Sequence, residues 1–287
     1  MGGASERSRQ AWIVVVSIAS QTRPQYWKAQ RQSWARRHTF MKFDEADAAP
    51  CRQCAATLDR RYWWKPNASA SWWCAQKRPL QAIRAAAMRH DSASWFLIVD
   101  DDTWVNMILL EGVLKQLEAE EVLPPYFGHA AFNGARLLPV VIDEPVRSTS
   151  QVMGGAGIVL HSSGITSLLR RPKSGPLASQ TGSKPSQLDE CIEKQTSGSW
   201  CWWNSDWALA ECLEKVGVRP VGHPRFAQVG ACGEMSITCH HVDDIQQKAL
   251  WQKALDGLMP CNQTNMSNWR KSVCKTPFHG VGGRSHA

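Results

Sequence analysis

The stretch Trp95-Phe-Leu-Ile-Val-Asp-Asp-Asp-Thr-Trp-Val-Asn106 places three carboxylates directly after a run of large apolar residues. The run has no polar alternation, so we expect a strand that is buried on both faces, as in a parallel sheet. Three like charges at one point repel one another unless a cation compensates them. Because ligands bind outside the carboxyl ends of such strands, the stretch predicts a divalent metal site at Asp100, Asp101 and Asp102. The alternative is a solvated acidic turn that caps the next helix.

Elements on both sides of this strand predict an α/β fold. A helix is expected over residues 79–90, and another follows the acidic turn over residues 105–120. Helix, buried strand, turn and helix in this order are typical of a doubly wound sheet. The other predicted elements are strands at 12–17, 140–142 and 157–160, helices at 25–37, 163–170 and 205–216 (with Ser205 as the cap), and a surface loop over 171–199.

Composition excludes several classes of protein. The chain has 287 residues, of which 43% are hydrophobic and 20% are charged, as in a folded globular protein rather than a disordered or collagen-like one. Lysine and arginine number 33 against 25 acidic residues, and we interpret this excess as scattered in short clusters such as residues 36–38. A nucleic-acid binder would more often gather such charge, so no nucleic-acid partner is expected.

Cysteines and glycosylation patterns indicate the secretory pathway. Ten cysteines allow complete pairing, and acceptor triplets begin at Asn67, Asn262 and Asn265. We therefore expect a Golgi or ER lumenal protein. The first apolar run, residues 12–19, is too short to span a membrane, so an anchor is expected upstream of Met1. Proximity in predicted loops suggests two disulfides, Cys191–Cys201 and Cys261–Cys274.

Several reactions use an acidic metal site. A haloacid-dehalogenase phosphatase needs Thr or Val at the fifth position of its motif, where this chain has Trp104. Nucleotidyl transferases and nucleases need further carboxylates for a second metal, and no second acidic strand end is obvious. A transferase that uses a nucleoside-diphosphate sugar needs one metal at the diphosphate, one additional ligand and one base.

Five segments together resemble the Fringe-like glycosyltransferases, which group with the core 1 β1,3-galactosyltransferases and have a GT-A fold. The resemblance covers about residues 12–243 and implies one catalytic domain over 1–287, in which 244–287 form an extension tied by a disulfide. It implies a Rossmann-like, mixed and mostly parallel sheet flanked by helices. The segments are residues 95–106, Gln32-Ser-Trp34-Ala-Arg36, Gly154-Gly155-Ala156-Gly157, Asn204-Ser205-Asp206 and Cys239-His240-His241-Val242-Asp243.

The resemblance also implies a role for individual residues. Asp102 would bind manganese, with His241 as the second ligand and His240 as the alternative. Asp206 would be the general base, whereas Asp100 and Asp101 would contact the nucleotide sugar. The backbone of Gly154, Gly155 and Ala156 would line the donor and acceptor site. The implied reaction is an inverting transfer of galactose or N-acetylglucosamine from a UDP-sugar to a glycan or glycoprotein, in a β1,3 linkage.

Some positions depart from the family pattern. Position 205 is Ser where the family often has Asp, and Tyr26 stands near the place of a basic residue. The family's second strand is not recognisable in residues 41–60. Simpler alternatives are that Asp206 only favours the helix dipole and that His241 is an ordinary histidine. With its 15 tryptophans, the chain also fits a carbohydrate-binding protein without activity. The pair Trp202-Trp203 fits either stacking on a sugar or core packing.

Overall fold

The computed structural model describes residues 12–51, 70–129, 136–137, 151–152, 154–171, 185–198, 200–201, 203–223, 225–227 and 236–256. The predicted strand at 140–142, the three glycosylation triplets, Trp202 and the Cys261–Cys274 pair lie outside these residues. The helices are α1 (Pro24–Gln32), α2 (Ala70–Gln76), α3 (Arg78–Arg89), α4 (Met107–Ala119), α5 (Ser162–Leu169), α6 (Gln187–Thr196), α7 (Ser205–Glu214) and α8 (Asp244–Leu255).

Two sheets organise the chain. The strands of the main sheet are β1 (Ile13–Ile18), β2 (Thr39–Phe43), β3 (Trp95–Asp100), β5 (Tyr126–Gly128), β6 (Arg136–Leu137), β7 (Ile158–His161) and β8 (Val221–Gly222). A small second sheet contains β4 (Trp104–Val105), β9 (Phe226–Ala227) and β10 (Thr238–Cys239), with β10 in the middle.

The main sheet has the order β2-β1-β3-β7-β5-β8-β6. Only β7 runs antiparallel to its neighbours, β3 and β5, while the other pairs are parallel. This arrangement confirms the predicted α/β class with a mixed, mostly parallel sheet. The carboxyl ends of β1, β2 and β3 lie side by side, since Ile18 pairs with both Phe43 and Asp100.

The central strands are buried on both faces, as their unbroken apolar runs predict. Val14 and Phe96 belong to one core cluster, which helices α3, α5 and α7 cover. Val15 and Leu97 belong to the other, which α4 and α8 cover. Trp251 of α8 is part of the second cluster. Helix α8, which lies in the predicted extension 244–287, therefore packs against the core.

Two predicted elements differ from the structure. Helix α1 ends at Gln32, earlier than expected, and turns follow it to residue 37. The predicted loop 171–199 contains α6, which a capping box begins: Ser186 and Asp189 each accept the other's backbone N–H. The Ser, Gly and Lys content of this segment concealed that local signal. Among the described helices, none combines the length and the apolar character that crossing a membrane requires.

The predicted Cys191–Cys201 disulfide is wrong, because Cys191 of α6 bonds to Cys212 of α7. Both cysteines are fully buried, so the bond fastens the two helices inside the core. A second disulfide joins Cys51 to Cys74 of α2. Loop proximity along the chain favoured Cys201, but residues 187–196 are helical and direct Cys191 toward α7 instead. The disulfides fit the oxidising compartment predicted from the cysteine count.

Replacing Cys191 and Cys212 together by Ala is expected to lower the free energy of unfolding by about 3 kcal/mol. The reason is that the disulfide closes a loop with a sequence separation of 21 residues. Chemical denaturation measures the loss, and the Cys51→Ala/Cys74→Ala variant, with a separation of 23, is the matched control for chain entropy. A Cys191–Cys201 peptide in a non-reduced digest would contradict the assignment.

Candidate active site

Two buried glutamines hold the acidic turn that follows β3. Gln30 of α1 donates its Nε2 to the carbonyls of Asp100 and Thr103, at 2.8 and 2.9 Å, while its Oε1 accepts from Ser17. Gln247 of α8 donates its Nε2 to the carbonyl of Asp101 at 2.9 Å. Both glutamines are completely buried. These bonds satisfy the carbonyls of a tight turn inside the protein and fix the direction of each carboxylate.

Asp101 points into the protein rather than toward solvent. Its side chain is 1% exposed, Oδ1 accepts from Arg23 at 2.7 Å, and Oδ2 accepts from the backbone N–H of Ser20 at 3.0 Å. Burial raises the pKa of Asp101 to about 7, although Arg23 opposes this shift. Both oxygens anchor the segment between β1 and α1, and the contact of Asp101 with the nucleotide sugar stays a prediction.

Asp102 lies against two histidines. Its Oδ1 is 3.2 Å from Nε2 of His240, and its Oδ2 is 3.6 Å from Nδ1 of His241. One ligand atom from each of the three side chains lies within 4.8 Å of the others. Burial opposes ionisation of Asp102, but the hydrogen bond and charge of His240 outweigh it and lower its pKa. The predicted ligand His241 and its alternative His240 are therefore both within reach of a shared metal ion.

The backbone at these histidines is unusual. His241 has a φ of 61°, in the left-handed region that residues with a side chain rarely adopt. Val242 donates its N–H to the carbonyl of Asp102 at 2.8 Å, so this segment is fastened to the acidic turn. The two imidazole rings stack with their centroids 3.8 Å apart. Strain of this kind is often found at functional sites, where the surrounding structure over-determines the conformation.

Asp100 is the most accessible of the three carboxylates. Its side chain is 42% exposed, and its Oδ2 lies 3.7 Å from Nε2 of His240. Partial desolvation by the surrounding protein and the neighbouring charge of Asp102 raise its pKa. Asp100 is thus available to a ligand, unlike Asp101.

The glycine segment brings backbone close to the site. A Cβ at Gly154 would collide with the carboxylate of Asp206, and a Cβ at Gly155 would collide with the ring of His240. Thr103 donates its hydroxyl to the carbonyl of Gly155 at 2.8 Å and so connects the segment to the acidic turn. Glycine at these two positions is required for the backbone to lie between the histidine and the carboxylate.

Asp206 lies in the first turn of α7. The helix is capped by Asn204, whose side chain accepts from the N–H of Trp207 at 3.0 Å, so the predicted cap Ser205 is wrong by one residue. Oδ1 of Asp206 accepts from the N–H of Gly154 at 2.8 Å. Burial raises the pKa of Asp206 to about 7, and the negative charge of Asp100 adds to the shift, whereas His240 opposes it. This carboxylate is therefore poised for proton transfer near neutral pH.

Three further residues that build the site carry no recognisable signal in the sequence. Arg23 precedes α1 and lies 5.1 Å from the ring of Tyr26, so a cation is present close to where the family's basic residue was sought. Gln30 and Gln247 were missed because glutamine carries no chemical signature, and their partners are 70 and 146 residues away.

Comparisons with known proteins give a family for this chain. A comparison with curated protein sequences gives no match. Among solved structures, the chain is similar to one described as "crystal structure of a glycosyltransferase involved in the glycosylation of the major capsid of PBCV-1". The TM-score is 0.43 at 10% identity, over 84% of this chain and 98% of that chain. The Fringe-like family matches residues 32–220, which include Asp102, Gly154 and Asp206 but end before His240. This protein belongs to the Fringe-like family of glycosyltransferases.

Proposed function

We propose that this glycosyltransferase is an inverting, manganese-dependent enzyme that transfers galactose or N-acetylglucosamine from a UDP-sugar. The acceptor would be a hydroxyl of a glycan or glycoprotein, and the linkage formed would be β1,3. The observation that carries the proposal is the convergence of Asp102, two histidines and the buried Asp206 around one glycine segment. The disulfides fit a Golgi enzyme.

The donor atoms suit manganese. Asp102 supplies a hard carboxylate oxygen, while His240 and His241 supply borderline nitrogens, a mixture that favours a first-row transition ion over calcium. A bound manganese ion would offset the charge that develops on the diphosphate leaving group. Arg23 stands beside the same carboxylates and is 45% exposed, so its guanidinium adds positive charge where the donor phosphates would lie.

The environment of Asp206 supports its proposed role as the general base. In an inverting transfer, the acceptor oxygen forms a bond to the anomeric carbon as the bond to the diphosphate breaks, and the hydroxyl proton needs an acceptor. With a pKa of about 7, the Asp206 carboxylate is both substantially ionised and basic enough to take that proton. The hydrogen bond from Gly154 holds Oδ1, which leaves Oδ2 for the substrate.

Two alternatives receive less support from the same structure. Within the described residues, the only cluster suited to a metal is Asp102 with the two histidines, whereas a two-metal nuclease needs further carboxylates. Trp203 stacks on Trp200 at 4.8 Å, which favours packing over sugar binding at that ring. A binding protein without activity would also have no need to bury an acid at Asp206.

Wild-type protein with manganese is expected to release UDP slowly from one UDP-sugar, and Asp102→Ala is expected to reduce this release by at least about 100-fold. The reason is that the substitution removes the only carboxylate in the proposed ligand set. A panel of UDP-sugars assayed with and without chelator measures the effect and names the sugar. Glu120→Ala, on the exposed end of α4, is the control. Turnover that persists in the Asp102 variant would contradict the metal assignment.

His240→Ala and His241→Ala are each expected to weaken manganese binding by about 10-fold or more, because each removes one nitrogen ligand. Titration followed by electron paramagnetic resonance of free manganese measures this without any turnover. His38→Ala is the matched control, since that histidine pairs with Glu111 instead. If only one of the two substitutions weakens binding, the site uses one histidine and the other has a different role.

Asp206→Asn is expected to lower kcat by about 10²–10⁴-fold and to stabilise the fold at neutral pH. Because the folded-state pKa of Asp206 lies above the ordinary value of 3.8, ionising the group destabilises the folded state. The gain on substitution should be absent near pH 4, grow as the pH approaches 7, and then stay constant at no more than about 4 kcal/mol. Thermal unfolding with chelator present measures it.

The control for that experiment, Asp189→Asn, is expected to change the stability of the protein in the opposite direction. At Asp189, burial opposes ionisation, but hydrogen bonds from Ser186 and the charge of Arg84 lower the pKa. Ionised Asp189 therefore stabilises the fold, and this contribution is lost as the pH falls. Asp189→Asn should accordingly destabilise the protein at neutral pH and have less effect in acid. Equal behaviour of the two variants would exclude a special environment at Asp206.

A further inference from the structure

The side chain of Gln76, the last residue of α2, reaches the first turn of α7. Its Oε1 accepts from the backbone N–H of Ser205 at 3.1 Å and from the hydroxyl of Ser205 at 3.0 Å. A backbone N–H can only donate, so the atom of Gln76 that meets it must be the amide oxygen. Gln76 is thus an acceptor at the start of the helix that carries Asp206.

The hydroxyl of Ser205 has a second acceptor. It lies 3.3 Å from Oδ1 of Asp206, the oxygen that also accepts from Gly154. A serine hydroxyl has one proton, so it donates either to Gln76 or to Asp206. The bond to Gln76 is the shorter of the two, and it competes directly for the proton that would otherwise stabilise ionised Asp206.

The position of Gln76 is itself fixed. Gln195 of α6 is completely buried and donates its Nε2 to the carbonyl of Gln76 at 2.9 Å. The Cys191–Cys212 disulfide fastens α6 to α7. The end of α2 and the start of α7 are therefore held in one frame, and Ser205 and Asp206 within it are 9% and 8% exposed.

We propose that Gln76 is a positioning residue that, through Ser205, keeps the carboxylate of Asp206 basic. The inference rests on the proposed role of Asp206 as general base. An aspartate at 205 would place its charge beside both Oε1 of Gln76 and Asp206, whereas the Gln76–Ser205 pair adds no charge and only directs one proton.

Two substitutions are expected to move the pKa of Asp206 in opposite directions. Gln76→Met removes the competing acceptor, so the Ser205 proton turns to Asp206 and its pKa falls. Ser205→Ala removes the donor, so the pKa rises. Each shift is expected to be about half a unit to one unit. The other groups that face Asp206 stay unchanged in both variants: Asp100 at the end of β3, His240 after β10 and Tyr126 on β5.

The shifts are measured without turnover. The pH dependence of unfolding, with chelator present, is compared for each variant with and without Asp206→Asn, and the difference isolates the titration of Asp206. The acidic limb of the pH profile of kcat/KM should move to lower pH in Gln76→Met and to higher pH in Ser205→Ala. Gln116→Met, on the exposed face of α4, is the matched control. It should change neither the pH dependence of unfolding nor the pH profile of kcat/KM. Gln76→Leu replaces Gln76→Met if the latter does not fold.

Opposite shifts in the two variants would support the proposal. Shifts in the same direction, or no shift in either, would overturn it, because a merely structural contact changes stability without selecting a sign. The pKa of Asp206, measured by unfolding, could shift in opposite directions in a protein that turns over no UDP-sugar with manganese. The hydrogen-bond network of Gln76, Ser205 and Asp206 would then still stand. That outcome would overturn the proposed function and, with it, the positioning of a general base by Gln76.

Discussion

Like-charge repulsion within the acidic turn is the constraint on which the rest of this structure depends. Three consecutive carboxylates at the end of a buried strand would drive one another toward protonation or toward solvent. The fold separates them by direction: Asp101 turns inward to Arg23, Asp102 faces His240, and Asp100 stays accessible. That separation needs a rigid turn, and Gln30 and Gln247 provide it by binding its carbonyls from two helices. The burial of α1 and α8 against the sheet is thus part of the site.

The sequence predicted the local features well, because their causes are local. A short unbroken apolar run next to turn residues favours a strand buried on both faces, and carboxylates at its end lie at the ligand-binding edge of the sheet. The glycine segment and Asp206 were found through resemblance, and the structure brings both to the same edge. What the sequence could not predict depends on distant partners. Neither the amide bonds of Gln247 nor the pairing of Cys191 with Cys212 leaves a periodic or compositional trace.

The different environments of Asp101 and Asp102 show most clearly what the sequence alone could not predict. Their side chains are identical and adjacent, and no pattern in the sequence distinguishes them. The distinction arises because the turn directs one toward Arg23 and the N–H of Ser20 and the other toward two histidines. The same reasoning applies to His240 and His241, which the sequence could only rank. A left-handed backbone at His241 brings the second imidazole back to the carboxylate that the first already contacts.

Burial of Asp206 has a cost that the rest of the fold must offset. A carboxylate with little exposure and a pKa near 7 stabilises the protein less than an amide would, and proteins retain such groups where function needs them. The offset comes from the frame around α7: the Asn204 cap, the Cys191–Cys212 bond and the contacts of α2 with the helix start. Gln76 contacts Ser205, and Arg23 lies against Tyr26, so residues from neighbouring segments hold two sides of the site in place. The arrangement of the site therefore depends on the side chains that hold its carboxylates in place as much as on the carboxylates themselves.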